Sequence, residues 1–265
     1  MADLRFGTYL APDLLDVYRA ITDRVGTVLG CSTELVVETD YESCLADLND
    51  VCFVCSLPYV MFEGQGLDLA VPVAAPVLAG SRYGGRPIYF SDVIVRFDSP
   101  FRSFAELRGR SWAFNERLSQ SGYGITRYTM VERGLTGGFF GEIVDAGFHQ
   151  TAIRLVAEGE VDASAIDSQV LAVELRLHPE LTARLRVVEA LGPSTIQPVA
   201  VSRRIDPALR SRIRHALVSL HRDPETRRAL ARGLIDRLVP VGPQSYDDIR
   251  RMVDACRRAG YLELR

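Results

Sequence analysis

Short apolar runs alternate with amphipathic helical segments along most of the chain, and this alternation is the feature that most constrains the fold. The runs LRFGTYL, ELVVET and VCFVCS have the length and residue content of strands. The segment from about Pro12 to Leu29 has helical spacing, with proline in the tolerated first turn. This order predicts an α/β protein with largely parallel sheets. Only helices are expected after the strand-like run IQPVAVS.

The same order of elements predicts two lobes rather than one continuous domain. We expect residues 1–93 and 200–265 to form the first lobe, with the C-terminal helices, and residues 94–199 to form the second. The runs VIVRF and IQPVAVS lie where the chain passes from one block to the other. Two such crossings predict a two-strand hinge with a central cleft.

The composition indicates an ordinary soluble globular protein. Hydrophobic residues make up 47% and charged residues 25% of the chain, and the formal net charge is -3. This charge gives no reason to expect nucleic acid or an anionic membrane as partner, and no stretch is apolar enough for direct membrane insertion. No signal peptide is visible, so the expected location is cytoplasmic as the sequence is written, or periplasmic or membrane-anchored if a leading segment has been removed.

Lysine and cysteine usage restrict the chemistry. All 31 basic residues are Arg, which excludes mechanisms that need a lysine Schiff base. The five cysteines are an odd number in a chain too large to need disulfides, so reduced thiols are expected. Cys52 and Cys55 form a CxxC, but strand alternation would point them to opposite faces, which favours buried thiols over a metal or redox site. No metal and no cofactor is expected.

The stretch NERLSQSGYGITRY, residues 115–128, stands where a strand runs into a helix. Serine and glycine are good helix openers, and the first amides of a helix have no intrahelical partner. Paired hydroxyls beside such amides suit a tetrahedral anion, although a plain helix cap would use the same residues. The candidate ligand-binding residues of this stretch are Ser119, Gln120, Ser121, Gly122 and Tyr123.

Four stretches resemble the phosphate, phosphite and phosphonate binding proteins of ABC importers, a branch of the type 2 periplasmic-binding fold. They are CSLPY (55–59), IYFSDVIV (88–95), FNERLSQSGY (114–123) and HQTAIRLVAEGEVDASAID (149–167). The third is the most specific, because the family carries an Asn-acid pair followed by Ser-x-Ser-Gly at the opening of a second-lobe helix. The resemblance implies two α/β lobes that close over a small oxyanion.

The resemblance also implies ligand contacts in the second lobe. His149 stands just before a helix, where the family often has a polar residue facing the ligand; the alternative is a surface or capping histidine. Asp167 follows the apolar strand ASAI. It could accept a hydrogen bond from a protonated ligand oxygen or pair with a ligand ammonium, or it could cap the next helix.

The first lobe is expected to supply tyrosine hydroxyls to the ligand. Tyr59 and Tyr89 lie in two of the matching stretches, and Tyr9 lies in the first loop. A tyrosine in an apolar segment is more often a core residue with its hydroxyl at the edge. Ser91 is a weaker candidate, and Asn115 is expected to order the loop.

A non-catalytic binding protein is therefore expected, with a small anionic ligand and, as partner, possibly an ABC permease. The alternative is a cytoplasmic lyase or synthase on the same two-lobed fold. The chain lacks a G-x-S-x-G elbow and an H-E-x-x-H helix, and Ser119, His149 and Asp167 carry no known catalytic signature. No catalytic residue is expected.

Overall fold

The computed structural model of the protein describes residues 4–65 and 70–265, and the chain divides into two compact units. The first unit contains residues 1–88 and 195–247, and the second contains residues 89–194 and 248–265. The chain therefore passes between the units three times.

Strands and helices follow the alternating order. The strands are β1 (Leu4–Thr8), β2 (Thr33–Val37), β3 (Val51–Phe53), β4 (Ala70–Leu78), β5 (Ile88–Arg96), β6 (Ser111–Phe114), β7 (Glu142–Asp145), β8 (Ala163–Asp167), β9 (Leu185–Thr195), β10 (Val199–Ser202) and β11 (Ile235–Pro240). The helices are α1 (Leu15–Leu29), α2 (Glu42–Leu45), α3 (Ser56–Gly64), α4 (Ile125–Glu132), α5 (His149–Glu158), α6 (Ser168–Leu177), α7 (Pro207–Ser219), α8 (Pro224–Arg232) and α9 (Asp247–Arg258).

The sheet of the first unit has the strand order β11-β4-β10-β3-β1-β2. β1 is parallel to β2 and β3, whereas β10 is antiparallel to β3 and β4, and β11 is antiparallel to β4. The sheet is thus mixed, and the expectation of largely parallel sheets is wrong here. β10 enters after a passage from the other unit, so no βαβ crossover imposes a parallel direction on it.

The sheet of the second unit has the order β7-β6-β8-β5-β9. β6 is parallel to β7 and β8, while β5 is antiparallel to β8, with Ser91 opposite Asp167. β5 also begins where the chain changes unit, which again explains its direction. The carboxyl ends of β6 and β8 lead into the turn before α4 and into α6, so these two ends carry most of the predicted ligand residues.

Helix α1 shows how the sequence pattern becomes core packing in the first unit. Pro12 opens a short 3₁₀ turn before it, and Gly30, with φ of 68°, ends it. Its buried side chains recur at intervals of three or four residues and face α7, α8 and β2. In the second unit, the corresponding core is a cluster of aromatic rings formed by Phe104, Trp112, Phe139 and Phe140.

The structure differs from the predicted lobes at the C-terminus. The first two passages between the units follow residues 88 and 194 instead of 93 and 199, and residues 248–265 belong to the second unit. The reason is side-chain packing, because Gln120 contacts Met252 and the Tyr123 hydroxyl accepts a hydrogen bond from the Leu264 amide. The expectation of helices alone after β10 is also wrong, since β11 forms an edge strand.

Within residues 4–65 and 70–265, no helix has both the length and the apolar character needed to cross a bilayer. The same part of the chain contains no group of three or more His, Cys, Asp or Glu side chains placed to hold a metal ion.

Candidate functional site

The serine-rich stretch forms one tight turn between β6 and α4. Residues Gln120–Gly124 adopt a π-helical turn that leads directly into α4. Ser119 is the N-cap, and its Oγ accepts a hydrogen bond from the amide of Gly122 at 3.1 Å. The prediction that this stretch opens a helix is therefore confirmed. Single π-turns occur often at functional positions, because they displace backbone groups from regular helical bonding.

Two serines and one histidine form a continuous hydroxyl and imidazole chain. Ser119 Oγ lies 3.2 Å from Ser121 Oγ, which lies 2.8 Å from His149 Nε2. All three side chains are buried. His149 is the first residue of α5, so two helix beginnings meet at this cluster. We call Ser119, Ser121 and His149 the hydroxyl cluster.

The histidine of the hydroxyl cluster is uncharged. Burial alone lowers the pKa of His149 from 6.5 to about 3, because the imidazolium would lose its hydration. Its Nδ1 has no hydrogen-bond partner among the described residues. The neutral ring can hold its hydrogen on either nitrogen. In the Nε2–H form it donates to Ser121, which leaves the serine hydroxyls free to donate to a further group.

Packing against Asn115 explains the glycine at position 122. A Cβ at this position would lie 2.0 Å from Asn115 Oδ1 and 3.1 Å from Asn115 Cγ. The Asn115 side chain therefore occupies the space that a larger residue would need. This agrees with an ordering role for Asn115, and ligand contact by Gly122 stays a prediction.

Gln120 and Tyr123 face the interior of the second unit. Gln120 is fully buried, and its Nε2 donates to Ser194 Oγ at 3.2 Å and contacts Met252 Sδ at 3.2 Å. The Tyr123 ring packs on Phe114 with a centroid distance of 4.9 Å. These contacts fix both ends of the turn. Direct ligand contact by either side chain stays a prediction.

Asp167 serves as a helix cap. It ends β8, is 1% exposed, and its Oδ1 accepts hydrogen bonds from the amides of Gln169 at 2.8 Å and Val170 at 3.4 Å. The capping interpretation of this carboxylate is thus confirmed. A ligand contact by Asp167 remains a separate prediction.

The three tyrosines do not all belong to the same unit. Tyr89 lies in the second unit, because β5 pairs with β8, and its side chain is fully buried; its assignment to the first lobe is wrong. Tyr59, in α3, packs edge-on against Tyr246 at 5.3 Å, and its hydroxyl donates to Glu63 at 3.5 Å. Tyr59 and Tyr9 remain in the first unit.

The Tyr9 hydroxyl belongs to a local network. It lies 2.7 Å from Ser43 Oγ and accepts a hydrogen bond from Asn49 Nδ2 at 3.0 Å. The same Nδ2 donates to Glu38 at 2.8 Å, and Asn49 Oδ1 accepts from Arg5 at 3.1 Å. Burial raises the pKa of Tyr9, so its phenol stays protonated. We call these five residues the tyrosine network.

Several residues that contact or adjoin the serine-rich turn could not be identified from the sequence. Ser194 and Met252 hold Gln120 from positions 74 and 132 residues away along the chain. Glu116 directly follows Asn115, and burial, with the nearby Asp145 carboxylate, raises its pKa. No local sequence pattern indicates these contacts, because they depend on how β7, β9 and α9 pack around the turn.

The fold and the matching family define the class of protein. Solved structures similar to it include a binding protein component of an ABC phosphonate transporter from Pseudomonas aeruginosa, with a TM-score of 0.83 and 16% identity over 97% of this chain and 87% of that one. A Prochlorococcus marinus protein in complex with methylphosphonate has a TM-score of 0.82 and 16% identity over 98% of both chains. The periplasmic aliphatic sulphonate binding protein of Escherichia coli has a TM-score of 0.68 and 15% identity over 97% and 87%. The chain thus has the type 2 periplasmic-binding fold.

The particular family follows from the sequence itself. Residues 8–246 match the model of the family described as ABC transporter, phosphonate, periplasmic substrate-binding protein. The chain belongs to this family. The family and these structural neighbours are non-catalytic solute-binding proteins, so the alternative of an enzyme on the same fold is not supported.

Proposed function

We propose that this protein is the substrate-binding component of an ABC-type importer and that the hydroxyl cluster holds the ligand, a phosphonate or related small oxyanion. The observation that carries the proposal is the chain Ser119–Ser121–His149 at the beginning of a helix, built entirely from uncharged groups. An anion can accept from these donors without displacing a charge already buried there.

The energetics of such a site are sufficient for transport. The positive end of the helix dipole favours a negative group at the turn. Each hydrogen bond to a charged oxygen contributes about 1.5–3 kcal/mol, so three or four of them support micromolar affinity, which needs about -8 kcal/mol after association costs. The doubly charged phosphonate gains more from these dipoles than a singly charged sulphonate.

The location and the partner follow from the same assignment. The family is described as periplasmic, and we propose that the protein acts outside the cytoplasmic membrane, not in the cytoplasm. Its macromolecular partner would be the permease of the importer, which receives the ligand.

The test is isothermal titration calorimetry with methylphosphonate on the wild type and on the double variant Ser119→Ala/Ser121→Ala. Loss of two charge-assisted hydrogen bonds should weaken binding by at least about 100-fold. Ser164→Ala is the matched control, since Ser164 is fully buried in β8 of the same unit and its hydroxyl has no partner within the described residues. Unchanged affinity in a folded double variant would overturn the proposal.

The ligand class is tested by repeating the titration with phosphate, phosphite and methanesulfonate. In a buffer alkaline enough to ionise methylphosphonate twice, we expect it to bind at least about tenfold more tightly than methanesulfonate, because its second negative charge strengthens each hydrogen bond. Equal affinity for methylphosphonate and methanesulfonate would show that the site does not distinguish ligands by their charge.

A further inference from the structure

Charge is distributed unevenly within the first unit. Residues 25–81 contain eight Asp and Glu and no Arg, whereas residues 203–232 contain nine Arg and three Asp and Glu, a net charge of +6. The second of these segments contains α7, α8 and the turn between them. At physiological ionic strength, charges more than about 8 Å apart are largely screened from one another. This segment can therefore attract an anionic partner although the whole chain has a net charge of -3.

Three arginines share the exposed side of α8. The opposite side of the helix is buried, and the helix packs against α1 and β11. The buried residues are Thr226, Ala229 and Leu230. Arg227, Arg228 and Arg232 are exposed, and the helical period of 3.6 residues places them away from the buried side. We call these three residues the arginine face.

The arginine face has no counter-charge of its own. Within residues 4–65 and 70–265, none of its guanidinium groups forms an ion pair or a side-chain hydrogen bond. Asp223, which caps this helix, is engaged by Thr226 and Arg24 instead. Other exposed arginines are paired with an aspartate two or three residues away, namely Arg19, Arg96 and Arg257.

The stability of α8 does not account for these three charges. Arg228 and Arg232 are one turn apart, and like charges at this spacing disfavour a helix. Arg232 lies in the last turn, where the helix dipole favours a positive charge, but Arg227 and Arg228 lie nearer the N-terminal end. An anionic partner outside the chain would supply the counter-charge that the fold lacks.

We propose that the arginine face docks the protein on an anionic phospholipid surface. The two are complementary in charge and in chemistry, because a guanidinium group presents a planar fork of donors that matches the oxygens of a phosphate group. The other exposed residues of α8 are Pro224, Glu225 and Ala231, so this side has no large apolar group to insert into a bilayer. The contact is therefore electrostatic and reversible.

The choice of a lipid surface over another polyanion rests on the proposed function. A substrate-binding component delivers its ligand to a permease, and a permease is embedded in a membrane. Docking on the surrounding phospholipid would keep the protein close to that membrane between deliveries.

The first experiment measures co-sedimentation of the full-length wild type, without ligand, with two kinds of vesicle. One contains equal parts of phosphatidylglycerol and phosphatidylcholine, and the other contains phosphatidylcholine alone. We expect binding to the first only, and a bound fraction that falls as NaCl is added, because salt screens the contact. No binding to either vesicle, or equal binding to both, would overturn the proposal.

Charge removal tests whether α8 makes the contact. The triple variant Arg227→Gln/Arg228→Gln/Arg232→Gln should bind the anionic vesicles at least about 20-fold more weakly than the wild type. The matched control removes three exposed but paired arginines, in the variant Arg19→Gln/Arg96→Gln/Arg257→Gln, and should stay within about twofold of the wild type. Equal losses in the two variants would show that net charge, not the arginine face, governs binding.

A charge-conserving variant separates the contact from damage to the helix. Arg227→Lys/Arg228→Lys/Arg232→Lys alters the same three positions and should retain binding within about threefold of the wild type, because the positive charges remain. Loss of binding in this variant would overturn an electrostatic contact.

A final measurement separates lipid from nucleic acid. Wild type that binds a DNA duplex as tightly as it binds the anionic vesicles would have a general polyanion site, and the assignment to lipid would be wrong. The arginine face lies in the first unit and the hydroxyl cluster in the second, and the vesicle experiments contain no methylphosphonate. Failure of the docking and failure of the proposed ligand site are therefore distinguishable.

Discussion

The hydroxyl cluster of the second unit and the tyrosine network of the first unit contain similar groups, yet their surroundings differ. Ser119, Ser121 and His149 form a chain in which every member is uncharged. In the tyrosine network, Asn49 links the Tyr9 hydroxyl to the carboxylate of Glu38. The hydroxyl cluster contains no charged member, whereas the tyrosine network already contains a carboxylate and a guanidinium, those of Glu38 and Arg5, joined through Asn49.

The difference teaches that hydroxyl type and sequence position are poor guides to anion binding unless the neighbouring charges are known. In the hydroxyl cluster, the neutral histidine lets both serines orient their hydrogens away from it. In the tyrosine network, the Tyr9 hydroxyl already shares a hydrogen bond with Ser43 Oγ at 2.7 Å and accepts another from Asn49 Nδ2 at 3.0 Å. We therefore expect the second unit to hold the anion and the network to stabilise the first unit.

The largest loss of stability and of ligand affinity is expected from Gly122→Ala, which disrupts the geometry of the hydroxyl cluster. The new methyl group would lie 2.0 Å from Asn115 Oδ1, so the turn must shift. Overpacking of this kind should lower the free energy of unfolding by about 3 kcal/mol and abolish measurable methylphosphonate binding. Urea denaturation and calorimetry measure the two quantities.

Two further variants check that the Asn115 contact is the cause. Asn115→Ala/Gly122→Ala removes the clashing amide and should recover at least half of the lost stability. Gly137→Ala is the matched control in the same unit, because its Cβ would meet nothing within 4 Å. A double variant as unstable as Gly122→Ala alone would show that another contact requires glycine.

The next largest effect is a pH dependence of the free energy of unfolding, which follows from the neutral state of His149. Burial lowers its pKa from 6.5 to about 3, so the unfolded chain binds a proton in this range that the folded chain does not. The free energy of unfolding should therefore fall as the pH drops below about 6.5, by up to about 1.4 kcal/mol per pH unit from this group, until about pH 3.

Urea denaturation at several pH values checks this, by comparison of the wild type with His149→Gln. The variant should lose the His149 contribution, so the difference in unfolding free energy between the two proteins should vary with pH. The exposed His215→Gln serves as the control and should follow the wild type. Parallel pH profiles of the wild type and His149→Gln would mean that the pKa of His149 is the same in the folded and unfolded chain, so that burial does not lower it.

A smaller effect separates the two roles predicted for Asp167. Asp167→Ala removes the cap of α6 and should cost about 1 kcal/mol of unfolding free energy, whereas Asp167→Asn keeps the cap, because asparagine caps about as well as aspartate. Methylphosphonate affinity of Asp167→Asn then reports on the carboxylate alone. A change of less than about twofold in calorimetry would assign this residue to capping only.

The regular elements could largely be predicted from sequence because their patterns are local. α5 and α6 show helical spacing, and β3 and β8 are short apolar runs between turn residues. β7 and β11 could not be predicted, because neither contains a continuous apolar run. Both are edge strands at the end of their sheets. The assignment of α9 to the second unit depends on the contact of Met252 with Gln120, which no local pattern contains.

The site was predictable to the extent that it depends on adjacent residues. Ser119 and Ser121 open one helix, so their proximity follows from two-residue spacing and helix capping. The bond between Ser121 and His149 joins residues 28 positions apart, and only the family resemblance brings His149 into consideration.

The smallest effect is expected from Tyr9→Phe, which removes one hydroxyl from the tyrosine network. The hydrogen bonds to Ser43 and Asn49 would be lost, at a cost of about 0.5–1.5 kcal/mol in unfolding free energy. Methylphosphonate affinity should change by less than about threefold, because this hydroxyl is engaged within its own unit. Urea denaturation and calorimetry on the same preparation measure both. A loss of affinity comparable to that of Ser119→Ala/Ser121→Ala would instead make Tyr9 a ligand residue, and the contrast between the hydroxyl cluster and the tyrosine network would no longer hold.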